Sequence, residues 1–285
     1  MKKEKPMEFI KKYKSLLIMG VCVIVILACC LYIMLDSSEE DKPDGAGSGE
    51  LVGEYDISVN GDKSIMASLY KDGLLDIKGS GMIKDLENIP WVDHVRTIKE
   101  VKIASGITGI GAYTFYHCTL LTSVEIPVGV TSIGEHAFDG SMVSSVTIPN
   151  TVTEIGQFAF DGCPLVSLTL PASIRNIGYR AFQNCDYLQR LTIEDGVTMI
   201  GDWAFYGCKE LKSITVPKSV SYIGESAFYD CEKLESVSFE NTANWFITKQ
   251  KNASEGEAIT VLTSSANALA LSNSKAEYYW KRAEK

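Results

Sequence analysis

The sequence predicts a solenoid of short, stacked parallel strands carried on a single membrane-spanning helix. Three observations predict it. Ile-Gly recurs at 110–111, 133–134, 155–156, 177–178, 200–201 and 223–224, at intervals of 22 or 23 residues. Phenylalanine follows each of these glycines by four positions: Phe115, Phe138, Phe160, Phe182, Phe205 and Phe228. And residues 16–35, LLIMGVCVIVILACCLYIML, hold no charged side chain.

The N-terminal part comes first. Twenty residues rising ~1.5 Å each span ~30 Å, the thickness of a bilayer core. This run is also longer than the apolar stretch of a cleavable signal. Lys2, Lys3, Lys5, Lys11, Lys12 and Lys14 precede it in the basic segment 1–15 and place that end in the cytoplasm. Everything after Asp36 is then extracellular. Two other readings stand beside the anchor. Ile26-Leu27-Ala28-Cys29 loosely resembles a lipobox, although the apolar run continues through Cys30 to Leu35; the third reading is a cleaved signal. Residues 36–50, DSSEEDKPDGAGSGE, are acidic and lack large apolar groups. They cannot bury enough surface to offset their ordering entropy, and they read as a flexible stalk.

Charge narrows the partners. The formal net charge is −9. Residues 1–14 carry six lysines against Glu4 and Glu8, so the rest of the chain carries −13. An acidic body repels nucleic-acid phosphates and anionic lipid surfaces, and no nucleic-acid partner is expected.

The repeat spans 101–239 in six units. Cysteine stands three residues after the phenylalanine in five of them (Cys118, Cys163, Cys185, Cys208, Cys231), and Ser141 fills the sixth. An alternating triplet follows, such as Val124-Glu125-Ile126, Leu168-Thr169-Leu170 and Ile214-Thr215-Val216. Apolar–polar–apolar alternation is a short strand with two side chains in and one out. Pro127, Pro149, Pro171 and Pro217 end four of the triplets, because proline cannot donate to a ladder. The residues before each glycine form a second extended piece, and glycine permits the bend after it. The x-x-Ala-Phe-x-x-Cys stretch is too short for a stable helix and predicts one helical or 3₁₀ turn. No unit covers its own apolar edge, so units must stack.

The pattern L-x-x-V-x-I-P-x-x-V-x-x-I-G-x-x-A-F-x-x-C resembles the BspA-like leucine-rich repeat of bacterial surface proteins. The first unit departs from it with Thr114 in place of alanine. The resemblance implies a leucine-rich repeat solenoid of short parallel β-strands, turns and short 3₁₀ or helical segments. It also implies a role in adhesion to host proteins or other cells. Less securely, it reaches both flanks, through Lys71–Gly79, Pro90-Trp91, Phe239–Trp245 and Tyr278–Arg282.

The flanks have their own physical reading. A solenoid needs its end coils covered. Residues 51–100 predict a β-hairpin cap around Lys71-Asp72-Gly73. Residues 240–285 predict the other cap, with apolar patches at Ile259–Leu262 and Ala266–Leu271.

Chemistry is sparse. The chain holds no G-x-S-x-G, H-E-x-x-H or C-x-x-C and no phosphate loop, so no enzyme, cofactor or metal site is expected. The five repeat cysteines share one column. They read as small buried hydrophobes, with disulfide pairing as the competing reading for an exported domain.

Two surfaces could bind a ligand. The outward column of the triplets reads Lys102, Glu125, Thr147, Thr169, Thr192, Thr215 and Ser238, a hydroxyl-rich face that also suits a solvated sheet. The second lies on the turn. Two residues after glycine stand Tyr113, His136, Phe158, Arg180, Trp203 and Ser226; five after it stand Tyr116, Asp139, Asp161, Gln183, Tyr206 and Tyr229. Aromatic residues and arginine are enriched at interfaces. Tyr113, Tyr116, His136, Phe158, Arg180, Trp203 and Tyr206 are therefore the candidate contacts for a protein or glycan on a host or neighbouring cell. Rings lying flat to cover neighbouring coils are the structural alternative. A spacer or assembly element of the cell envelope is the functional alternative. Glu135, His136 and Asp139 crowd together in "TSIGEHAFDG", which raises a metal or acid–base site. Their counterparts in the sister units are chemically unrelated, so the three read as one unit's share of a variable surface.

Overall fold

The computed structural model describes residues 49–252, 255–258, 264–274 and 276–283. The expected transmembrane helix at 16–35, the cytoplasmic segment 1–15, nearly all of the stalk and the patch Ile259–Leu262 lie outside the described residues. Among those described, no helix is long and apolar enough to cross a membrane. Residues 47–285 form one compact unit.

The chain begins with an antiparallel meander of β1 (Leu51–Asp56), β2 (Ile65–Tyr70) and β3 (Leu74–Met82). Both columns of the solenoid start on β3. Its first half pairs in parallel with β4 (Glu100–Ile103) and its second half with β5 (Gly106–Ile110). Gly79 and Gly81, at φ 115° and 109°, lie in the second half. A Cβ at Gly79 would stand 1.9 Å from the Ser64 carbonyl oxygen, so only glycine fits there.

From β5 the two-residue strands before each glycine stack in parallel: β7 (Ser132–Ile133), β9 (Glu154–Ile155), β11 (Asn176–Ile177), β13 (Met199–Ile200) and β15 (Tyr222–Ile223). These pieces form one unbroken sheet from the first cap to the last. The triplet strands run on the other side as three separate pairs. Those pairs are β6 (Ser123–Glu125) with β8 (Ser145–Thr147), β10 (Ser167–Leu170) with β12 (Arg190–Ile193), and β14 (Ser213–Val216) with β16 (Ser236–Phe239). Sequence marks the triplet as the clearer strand, yet the shorter piece carries the continuous ladder.

The core is the stack itself. All six phenylalanines are fully buried, and consecutive rings lie 4.9–5.4 Å apart. Such offset stacks contribute roughly 0.5–1.5 kcal/mol each beyond the area they bury. The outward triplet positions, Thr147 to Ser238 among them, are exposed as expected.

The five repeat cysteines are free and buried. Their thiols donate backwards to the phenylalanine carbonyls of the preceding unit: Cys163 to Phe138, Cys185 to Phe160, Cys208 to Phe182 and Cys231 to Phe205, at 3.1–3.4 Å. This is why the column wants a small donor. Ser141 fits it, 3.4 Å from the Cys163 sulfur.

The last unit is capped on all three sides. β19 (Tyr279–Arg282) pairs antiparallel with β15, and β17 (Trp245–Thr248) continues the sheet to β18 (Glu257–Ala258). Helix α1 (Ser264–Leu269) lies over β16, where buried Asn267 donates to the Val237 carbonyl at 3.1 Å. The Ser226 N–H donates to the Ala276 carbonyl at 2.6 Å.

Candidate functional site

The stretch from glycine to cysteine holds no helix. It is a chain of β-turns in which Ala137 N–H donates to Gly134, Asp139 N–H to His136 and Ser141 N–H to Phe138. The first and third have a residue at positive φ in third place, His136 at 53° and Gly140 at 66°, which is the type II pattern. The sequence predicts one helical or 3₁₀ turn here. The left-handed residues break it, and they free alternate N–H groups to point along the solenoid axis. His136, Phe138 and Gly140 donate to the carbonyls of Gln157, Ala159 and Asp161 in the next unit at 2.8–2.9 Å. A helix would have used those groups within one unit.

Both left-handed positions recur in every unit. The later one is held by His117, Gly140, Gly162, Asn184, Gly207 and Asp230, residues that tolerate this conformation. The earlier one is held by Tyr113, His136, Phe158, Arg180, Trp203 and Ser226, at φ 53–60°. Left-handed backbone costs a residue with a Cβ roughly 1–2 kcal/mol. Bulky side chains are thus concentrated where glycine fits best.

The predicted contacts come together as one half-buried stripe. Tyr113, Tyr116, His136, Phe158, Arg180, Trp203 and Tyr206 are neither buried nor fully exposed, and Tyr229 is exposed. Tyr113 stacks on His136 at 5.0 Å, and His136 on Phe158 at 4.6 Å with planes 6° apart. The Arg180 guanidinium lies over Phe158, Tyr179 and Trp203 at 5.5, 4.9 and 5.0 Å. Trp203 leans on Tyr206, which stacks on Tyr229. The rings therefore cover one another's faces and offer mainly edges outward. Ser226 falls outside the stripe, being small and buried under the cap.

Charge on the stripe is mainly acidic. His136 Nδ1–H donates to Asp139 Oδ2 at 2.7 Å, and its Nε2 lies 3.6 Å from Glu135 Oε1. The three residues crowded in the sequence thus meet in space. Among the described residues no group of three metal-binding side chains is present, and the arrangement orients the imidazole rather than caging an ion. Asp161 is pushed up to about 6, first by burial and then by the neighbouring Asp139 carboxylate. Burial raises the Tyr113 hydroxyl, with help from Glu135. Among the described residues Arg180 has no ion pair, and its Nε lies buried against the rings without a hydrogen-bond partner.

A neighbouring feature carries no signal in the aromatic columns. Two cavities of about 450 and 350 Å³ share Asn176, Gly178 and Tyr179 and lie along the glycine column. The x-Ile-Gly-x spacing could have indicated it: a residue without a side chain stands between two that point outward.

The profile of the BspA type leucine-rich repeat region matches in six copies over residues 93–164 and 131–253. The chain belongs to the BspA type leucine-rich repeat family. The resemblance read from the residues is borne out. The BspA type chain is similar to a solved leucine-rich cell surface protein from Faecalibacterium prausnitzii A2-165. Identity is 27% and the TM-score 0.54, over 71% of this chain and 60% of that one. It thus spans about three fifths of that protein. A leucine-rich repeat protein from Eubacterium ventriosum ATCC 27560 is 25% identical, with a TM-score of 0.47 over 67% of this chain and 73% of the other. No curated protein matches the BspA type chain.

Proposed function

We propose that this chain is a membrane-anchored, extracellular binding protein that recognises a protein partner at the cell surface, in adhesion or recognition, through its turn stripe. The observation that carries the reading is the concentration of Tyr, His, Phe, Arg and Trp at strained left-handed positions. Backbone strain gathers where a site needs side chains in a fixed pose. Ring contacts offset the strain and leave little net gain in stability, so stability alone gives no reason to prefer a ring to glycine. The stripe is preorganised, aromatic and edged by charge, which fits a protein interface. Ring faces are already occupied, which disfavours a sugar stacked on this stripe. The anchor is supported by the uncharged run at 16–35 and the lysines before it. Membership in a family with a similar cell surface protein agrees with it. Binding rather than catalysis is the reading, and neither a cofactor nor a nucleic acid belongs to it.

A second reading has its own support. The continuous stack from Tyr113 to Phe158 also stiffens the solenoid, as a spacer of the cell envelope would require. The test is capture by residues 51–285 of host matrix proteins and of bacterial envelope fractions, with wild type beside Phe158→Ser/Trp203→Ser. Capture that the double variant loses while folded supports recognition. Capture unaffected by the variant, or none, supports the spacer.

A further inference from the structure

The glycine column is a groove by construction. In the x-Ile-Gly-x of the third to fifth units the residue before isoleucine stands at least partly exposed, isoleucine is buried, glycine has no side chain, and the next residue is again at least partly exposed; the first unit departs from this with Gly109 and a buried Ala112. Two rows of side chains therefore flank a floor of bare backbone. Over the third to fifth units the rows are Glu154, Asn176 and Met199 on one side and Gln157, Tyr179 and Asp202 on the other. There the groove opens into the two cavities of about 450 and 350 Å³ that meet at Tyr179. At the cap end it is closed: Lys251 pairs with Asp202 at 2.7 Å, and the Tyr222 hydroxyl donates to Asp202 at 3.2 Å.

We infer that this groove is a binding site for a neutral oligosaccharide chain lying along the solenoid axis, with Tyr179 as its central contact. Three features select that ligand class. The strands under the groove, β9, β11 and β13, pair with neighbours on both sides, so no backbone edge is open for an added peptide strand. What the walls offer is amide and carboxylate side chains, Asn176, Gln157 and Glu154, all exposed; these accept and donate to hydroxyl groups. Tyr179 lines both cavities, with Arg180 against it at 4.9 Å and Phe158 edge-on at 5.4 Å, so its ring is held in one pose. A tyrosine held in one pose beside amides and acids offers a sugar's hydroxyl rim a fixed set of polar partners, with the ring edge as the apolar contact. Lys251 neutralises Asp202, so Glu154, which has no ion pair among the described residues, carries the net negative charge of the walls and disfavours uronic and sialic acids. The site adjoins the stripe, whose Phe158 and Arg180 hold the Tyr179 ring, and it stands whether or not the stripe binds a protein.

The test is calorimetric titration of the full chain with three probes: the hexasaccharides of β-1,4-linked N-acetylglucosamine and of β-1,4-linked glucose, and an oligogalacturonate. Binding of at least one neutral hexasaccharide is expected, with no binding of the oligogalacturonate. Tyr179→Ala should weaken binding tenfold or more and Asn176→Ala several-fold. Tyr187→Ser, at an exposed residue that lines neither cavity, should leave it unchanged. Failure of both neutral hexasaccharides to bind overturns the inference. So does wild-type affinity in Tyr179→Ala, or binding of the acidic oligomer alone. If Tyr179→Ala fails to fold, Asn176→Ala and Gln157→Ala, at exposed positions, decide the matter: wild-type affinity in both overturns it.

Discussion

His136 and Phe158 lie face to face, ring centroids 4.6 Å apart and planes 6° from parallel, and both residues occupy left-handed backbone. One geometry produces both facts. A left-handed residue in a type II turn frees its N–H for the next unit and sends its side chain out in the same direction in every coil. Side chains spaced by the stacking distance of strands, ~4.8 Å, then meet as a column.

The cost of that geometry can be isolated. Gly162 has φ 70°, and a Cβ added there meets nothing within 4 Å. Gly162→Ala therefore reports backbone strain without packing. Chemical denaturation should show a loss of about 1 kcal/mol. An unchanged midpoint would mean that Phe158 and Trp203 carry no strain either.

Gly79 sets where the cap meets both columns. A methyl group there would be driven into the Ser64 carbonyl at 1.9 Å. Gly79→Ala should destabilise residues 47–285 by about 3 kcal/mol or more. Thermal melting measures it, and a fall no greater than that of Gly162→Ala contradicts the assignment.

The thiol column acts as donors. Cys185→Ala leaves the Phe160 carbonyl without its side-chain donor and should cost about 1–3 kcal/mol, counting the small cavity. Cys185→Ser keeps a donor, as Ser141 does naturally, and should lose less. Burial pushes Cys118 and Cys163 up to about 12 from an ordinary 9.0. The folded state therefore holds protons that the unfolded state releases. Their contribution is complete below pH 9 and is lost progressively between pH 9 and 12. In the native protein these thiols should resist a thiol reagent at pH 8 and react on unfolding. Reaction of the native protein contradicts their burial.

Asp161 works in the opposite range. Its carboxyl is raised to about 6 from 3.8, so the folded state binds the extra proton between those values. Stability should fall as pH rises through this window and stay lower above it. Asp161→Asn should raise stability at pH 7 by about 1–2 kcal/mol, a figure reduced for its partial exposure, and should do little below pH 4. Equal gains at both pH values would assign the effect to something other than ionisation.

Much of this was legible in the sequence, and the rest fails for identifiable reasons. Ile133 and Phe138 announce the core because burial forces the same residue into every unit. The outward threonines are legible through strand alternation. The turn was not: nothing about Tyr113, Phe158 or Trp203 advertises positive φ, and only Gly140, Gly162 and Gly207 at the later position hint at it. The double role of β3 hides because Gly79 looks like any turn glycine. Gln157 and Tyr179 carry no signal of their own in the sequence, since a groove belongs to the relation between columns rather than to any one residue.

The central claim is that the turn stripe, rather than the solenoid as a whole, recognises a protein. Its most direct measurement is the affinity of residues 51–285 for a captured partner, wild type against Phe158→Ser/Trp203→Ser, with circular dichroism checking that both are folded. The account predicts a loss of at least tenfold with the fold retained. Equal affinity in the two folded proteins contradicts it.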